Sequence, residues 1–322
     1  MRLVRTLIAA ALAAATQIGP ASAQDFPVRP VRVIIPLGPG GGGDVFLRAL
    51  ADELHKAWGQ PVLVENRPGG GLNIGARACA ESTPDGYTLC FMSSEPVAYN
   101  QFLYRSLPFD PEKGLQPIVK LFVNTLALVV NSDLNVNTIP ELIALAKARR
   151  GTLSYATFAF PMAAFMERLK ATENIDIIRV PYRGGGEVVN AVLAGVTPIA
   201  LLALSNMVPQ IQSGRFTAIA VNSKARSPLF PEIPTLAELR PSDDYPPTWF
   251  GMFAPAGVPR PVLEKVARDV KRITSDPVFR KRMYIDRAVE PAGETLDEFA
   301  RFIRAERKVA ERIVRESGEQ PR

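Results

Sequence analysis

Histidine is almost missing from this chain: His55 is the only one in 322 residues. A triad that uses imidazole as its base has that one candidate. His55 sits on the flank of an amphipathic helix whose apolar stripe is Leu47, Leu50, Leu54 and Trp58. No G-x-S-x-G elbow is present to supply a nucleophile. Cysteine is scarce too. Cys79 and Cys90, with one distant histidine, are too few for a zinc site of the usual ligand types. The inventory points away from an enzyme, with no catalytic residues, no metal and no cofactor to assign.

Two further absences narrow the class. No segment is continuously apolar over the ~20 residues that span a bilayer, so stable membrane insertion is not expected. A charge field of one sign is also lacking, since the net charge is only +6. Lys265, Arg268, Lys271 and Arg272 alternate with Glu264, Asp269 and Asp276. That pattern reads as solvated helix faces, not as the continuous stripe that tracks nucleic-acid phosphates.

What is present begins with an export leader. Arg2 and Arg5 precede an apolar run from Leu7 to Ala15, and Ala21-Ser22-Ala23 has the small-x-small form of a cleavage site. Cleavage after Ala23 releases the mature protein into the periplasm, and no nearby cysteine offers a lipid anchor. The remaining ~300 residues exceed what one hydrophobic core usually organises, so two domains are expected. No apolar surface stripe stands out, which makes a monomer the expectation. The oxidising compartment bears on Cys79 and Cys90, which flank the turn Pro84-Asp85-Gly86. Two readings stay open, a disulfide between them or a small buried Cys90 within Tyr87–Met92.

Short β-branched runs alternate with helical periodicity along the chain. Strands are expected at Val31–Ile35, Pro61–Glu65 and Tyr87–Met92. A second set follows at Leu126–Val130, Leu153–Thr157, Ile177–Val180, Pro198–Leu204 and Ala218–Val221. Thr248–Phe253 reads as a further strand, followed by two charged amphipathic helices. Thr138, Thr235 and Thr295 each precede a glutamate by three residues, the spacing of a capping box. The alternation implies an α/β protein of two domains, each a doubly wound, mainly parallel sheet flanked by helices. Residues 24–124 plus 248–322 form the first domain and 125–247 the second, with a ligand cleft between them.

Two glycine turns follow strands. Pro36-Leu37-Gly38-Pro39-Gly40-Gly41-Gly42-Gly43-Asp44 puts unhindered amides at a helix N-terminus, a place that attracts an anion such as a carboxylate. The same loop satisfies G-x-G-x-x-G through Gly38, Gly40 and Gly43, with Glu65 ending the next strand. A run so rich in glycine meets that pattern cheaply, and nicotinamide cofactors are not supplied outside the cytoplasm. A tight turn with no ligand is the third reading. The second turn, Pro181-Tyr182-Arg183-Gly184-Gly185-Gly186, can face the first and clamp a small anion, with Tyr182 and Arg183 as extra donors. The alternative has Tyr182 packed and Arg183 solvated.

A set of short motifs runs in order through essentially the whole mature chain. They are Pro27-x-Arg29-Pro30, Pro36 to Asp44, Gly59-Gln60-Pro61, Val64-Glu65-Asn66-Arg67-Pro68-Gly69, Asn73-Ile74-Gly75 and Pro84-Asp85-Gly86-Tyr87-Thr88-Leu89. Pro108-Phe109-Asp110-Pro111, Val180-Pro181-Tyr182-Arg183-Gly184 and Trp249-Phe250-Gly251 complete the set. On these residues the chain resembles the substrate-binding receptors of tripartite tricarboxylate transporters, the Bug family. The resemblance implies a flytrap-like periplasmic-binding-protein fold that closes on a small carboxylate and docks onto membrane permease subunits. Such receptors hold carboxylates through backbone amides, hydroxyls and ordered waters.

Carried over by position, the resemblance makes Gly40, Gly41 and Asp44 ligand-binding, with Leu37 and Gly38 of the same loop. It adds Ser93 and Ser94 after the third strand, and Tyr182, Arg183 and Gly184 in the second domain. The chain departs from the family's pattern where a small polar loop and a histidine are usual, since it reads Thr157-Phe158-Ala159-Phe160. Leu202 stands where an aspartate is common. If Thr157, Phe158, Phe160 and Leu202 line the cleft, that wall has lost donors for a second carboxylate, and a monocarboxylate with an apolar or aromatic body is the expected ligand. If they are core, the wall is built by neighbours. Two other functions share the fold: a ligand-presenting partner of a membrane sensor kinase, and an exported enzyme.

Overall fold

The computed structural model describes residues 26–240 and 247–322, so the expected leader and the expected cleavage site after Ala23 lie outside the described residues. Two mixed sheets organise the chain. The first contains β1 (Val31–Ile35), β2 (Val62–Asn66), β3 (Thr88–Ser93), β4 (Leu115–Asn124), β10 (Thr248–Pro255) and β11 (Val289–Pro291), in the order β11-β4-β10-β3-β1-β2. The second has the order β7-β6-β8-β5-β9, from β5 (Leu126–Asn131), β6 (Leu153–Thr157), β7 (Ile177–Pro181), β8 (Ile199–Ala203) and β9 (Phe216–Val221). The longer helices are α1 (Gly42–Trp58), α2 (Asn73–Ala80), α3 (Ile139–Ala148), α4 (Phe160–Glu173), α5 (Gly185–Leu193), α6 (Arg260–Ser275), α7 (Pro277–Met283) and α8 (Leu296–Ser317).

The two-domain α/β architecture is the one expected, but the sheets are mixed instead of mainly parallel. Strands reached through a helical crossover run parallel, β1 with β2 and β3, and β6 with β7 and β8. The strands beside the crossing between sheets do not. β4 leads into β5 across the single residue Thr125, and β10 brings the chain back. β10 pairs antiparallel with both β3 and β4, and β5 pairs antiparallel with β8 and β9. A chain that leaves and re-enters a sheet through one end must lay those strands in opposite directions.

Local chemistry fixes the elements near the cleft. The apolar stripe of α1 buries Phe46, Leu47, Leu50 and Leu54 against the first sheet, each contributing roughly 1.5–3 kcal/mol. The helix stops at Gly59, whose φ of 65° is left-handed and suits glycine. Trp58 donates its indole N–H to Asp269 at 2.7 Å, tying α1 to α6. Thr138 and Thr235 act as helix caps, accepting from the amides of Glu141 and Glu238; Thr295 makes no such side-chain bond. Cys79 and Cys90 form a disulfide that joins α2 to β3, and both are fully buried, so the two readings of Cys90 merge.

One grouping changes. Phe299 and Ile303 of α8 pack with Trp249 and Phe253 on the first sheet, but Ala310, Ile313 and Val314 further along belong to the core of the second sheet. Ala98, Tyr99 and Leu103 join that second core as well. The last turns of α8 and the segment after β3 therefore do not follow the first sheet, as their place in the sequence suggests.

Candidate functional site

The carboxyl ends of the parallel strands of both sheets open onto one narrow cleft that encloses about 20 Å³. This is where open α/β sheets generally place ligands. The first domain lines it with Leu37, Gly38, Gly41 to Asp44, Ser93, Ser94, Glu95, Asn124, Thr248 and Phe250. The second contributes Phe158, Ala159, Pro161, Met162, Gly185, Ala203 and Asn206. No lysine, arginine or histidine is among these lining residues.

The loop between β1 and α1 is held open by its own aspartate. Gly40 turns at a φ of 84°, and its amide donates to Asp44 Oδ2 at 3.0 Å. Arg48 Nε donates to the same oxygen at 3.0 Å, and Asn66 Nδ2 to Oδ1 at 2.9 Å. Burial works against the charge of Asp44, but these bonds outweigh it and hold the carboxyl below its ordinary pKa. Asp44 is thus a loop-shaping group. In the first turn of α1 the amides of Gly43 and Asp44 have no intrahelical acceptor, and both residues line the cleft.

The second glycine turn does face the first. A Cβ on Gly184 would lie 3.3 Å from the Gly38 nitrogen, and one on Gly186 would lie 3.2 Å from the Pro39 carbonyl oxygen. The amide of Gly42 donates across the gap to Asn206 Oδ1 at 2.6 Å. The N-terminus of α5 thus approaches that of α1 on either side of the cleft.

Polar groups left over at the bottom are specific. Among the described residues, Ser93 Oγ, Thr248 Oγ1 and Glu95 Oε2 are buried without a hydrogen-bond partner, and all three residues line the cleft. Groups buried that way cost stability unless something fills their valence. Glu95 is 3% exposed, and its Oε1 accepts the amide of Phe160, the first residue of α4, at 2.8 Å. Burial pushes its carboxyl up to about 7, against the Phe160 bond and the fields of Arg322 and Arg179, which favour the charge.

Of the expected ligand contacts, Leu37, Gly38, Gly41, Asp44, Ser93, Ser94 and Phe158 come together on the cleft. The others stand off it. The Gly40 amide is used by Asp44, and Gly184 packs against Gly38. Thr157 Oγ1 donates to the Ala159 carbonyl, and Phe160 is core. Tyr182 OH pairs with Thr197 Oγ1 at 2.7 Å, while the Arg183 side chain is exposed and its amide bonds Glu187. Leu202 is buried in the second core opposite Ala127. The second-domain wall is apolar, but through Phe158, Ala159, Pro161, Met162 and Ala203. Sequence reasoning missed Glu95, Asn124, Asn206 and Thr248. A lone glutamate inside Phe91–Ala98 was the one visible signal.

Comparison with known proteins agrees with this geometry. Residues 46–318 match the family model described as tripartite tricarboxylate transporter family receptor. Protein BugT of Bordetella pertussis is 33% identical over 310 residues, spanning 95% of each chain. The solved periplasmic binding protein BugD superposes with a TM-score of 0.86 at 25% identity, covering 92% of this chain and 100% of that one. A solved R. palustris protein with adipate gives 0.86 at 26% identity, with the same coverage. With the fold matched over 92% of the chain and the family pattern matched from α1 to α8, the chain belongs to the receptors of the tripartite tricarboxylate transporter family.

Proposed function

We propose that this receptor works in the periplasm, captures a small monocarboxylate with an apolar body and delivers it to the permease subunits of a tripartite transporter. The observation that carries the reading is the pairing of unpartnered donors with an apolar surround. Free first-turn amides of α1 and the buried hydroxyls of Ser93 and Thr248 suit a carboxylate without a cationic side chain. Phe158, Phe250, Met162 and Leu37 suit a hydrocarbon or aromatic body. Closure follows from the two glycine turns, which can approach backbone to backbone because no side chain intervenes.

The test is a thermal-shift series on residues 24–322 with aliphatic and aromatic acids, each paired with its amide. A ligand that binds only the folded state raises the melting temperature. An acid-specific shift, absent with the matching amide, is the expected result. A panel in which amides shift as much as acids, or in which no acid shifts, removes carboxylate capture.

A further inference from the structure

The amide at the N-terminus of α4 belongs to Phe160, between the cleft-lining residues Ala159 and Pro161, and the protein fills it with its own carboxylate. Glu95 leaves the first domain just after β3 and places Oε1 2.8 Å from the Phe160 nitrogen. Its second oxygen, Oε2, is buried at the cleft without a partner among the described residues. The charged groups whose fields reach it are Arg322, Arg179 and Glu319, and none of these lines the cleft. With Glu95 ionised, above pH 7, a ligand lying between the α1 amides and α4 therefore meets an acceptor at its distal end, not a donor.

We propose that Glu95 is a specificity residue that occupies the place of a ligand's second carboxylate, so that the site takes monocarboxylates, including those ending in a hydrogen-bond donor, and rejects dicarboxylates. The proposal rests on the receptor reading above and sharpens it. Three effects act together. The Phe160 amide is already used, so a second ligand carboxylate loses the helix-terminal donor. Two carboxylates at this depth repel each other with little solvent screening. An amine or hydroxyl at the same place satisfies Oε2, which otherwise stays unpaired.

The experiment is calorimetric titration at pH 8 of the mature chain, Glu95→Gln and Glu95→Ala. The ligands are sets matched in carbon number: butanoate with succinate and 4-aminobutanoate, hexanoate with adipate and 6-aminohexanoate, 4-methylbenzoate with terephthalate. Melting curves confirm that each variant is folded; the alanine variant frees the Phe160 amide if glutamine retains it. The expected result is that the native chain binds the dicarboxylate of a set at least tenfold more weakly than its partners, and that at least one variant closes or reverses the gap. Acids that bind with no preference against dicarboxylates, or a preference unmoved in both variants, overturn the role of Glu95 and leave the receptor intact. Binding of no acid to any of the three proteins overturns both.

Discussion

Thr248 Oγ1 and Ser93 Oγ are buried with no hydrogen-bond partner among the described residues. A side chain kept for packing alone would be better as an apolar isostere, so these two positions separate binding from folding. Thr248→Val is expected to leave the melting temperature unchanged or raised, because removing an unsatisfied buried group recovers part of its ~1–3 kcal/mol desolvation cost. Ligand affinity is expected to fall by about tenfold, the loss of one hydrogen bond to a charged group. Calorimetry with the strongest acid of the panel, beside a melt of each protein, checks both; a melting loss with affinity intact would make Thr248 structural. Glu95 makes a second prediction at this scale. Its carboxyl titrates near 4.5 when unfolded and about 7 when folded, so between these values the folded protein holds the extra proton. Stability contributed by that group is present below pH 4.5 and is lost as pH rises through 7, by an upper bound of about 3 kcal/mol. Urea melts of the native chain and Glu95→Gln at pH 5 and pH 8 should show the native chain losing ground to the variant at pH 8. An equal difference at both values would mean that Glu95 carries its charge at no cost. Residue-level reading of the sequence left Leu202 and Tyr182 open between cleft and core for a simple reason. A strand alternates its faces, and whether the cleft or the core lies under one face depends on which sheet end faces the partner domain, which periodicity does not encode.

At the scale of elements, the two glycine turns and the helix termini behind them act as one device. Their backbones meet closely enough that a side chain on one must be accommodated by the other, and the accommodation available is opening of the cleft. Gly186→Val places carbon within reach of the Pro39 carbonyl and the Gly40 backbone, contacts made across the domains and not within one. The expected outcome is a fall in affinity of tenfold or more with a melting temperature within a few degrees of native, and a larger radius in solution scattering with ligand present. Unchanged affinity would show that the turns need not meet. The disulfide is the opposite kind of feature, internal to the first domain. Replacing both Cys79 and Cys90 by alanine should cost about 3 kcal/mol, the usual scale for so short a loop, without altering ligand preference. Most elements were legible from the sequence because β-branched runs and helical stripes are short-range signals. β4 was not: Pro117 and Lys120 interrupt its pattern. The structure accommodates Pro117 beside an irregularity in the pairing with β10, and pairs Lys120 with Glu294 at 3.1 Å and the ring of Phe302. Those partners lie far along the chain, so no local window contains them.

For the whole molecule, among the described residues, the β4–β5 junction at Thr125, the segment from Ala98 to Leu103 and α8 bridge the two cores, and the chain re-enters the first sheet at β10. A flytrap needs its domains free enough to rotate and coupled enough to close in one geometry. The two strand connections alone would leave rotation poorly defined. α8 adds a rigid rod with one end in each core, Phe299 and Ile303 in the first, Ile313 and Val314 in the second. Polar contacts secure the residues that follow it: Arg179 of β7 reaches Glu319 at 3.4 Å, Arg322 reaches Tyr104 at 2.7 Å, and the Arg322 backbone bonds those of Leu103 and Arg105. The sequence made α8 visible as an amphipathic helix, but not its division between two cores, because its stripe of apolar positions is continuous across the boundary. Replacing Ile313 and Val314 by alanine is expected to destabilise the second domain by about 3–5 kcal/mol through lost burial and the cavities left behind. Scanning calorimetry should then resolve two transitions where the native chain gives one, since the first core keeps its half of the helix. One transition at a lower temperature would mean instead that β4, β10 and the segment from Ala98 to Leu103 couple the domains by themselves, and that α8 contributes stability without setting the geometry of closure.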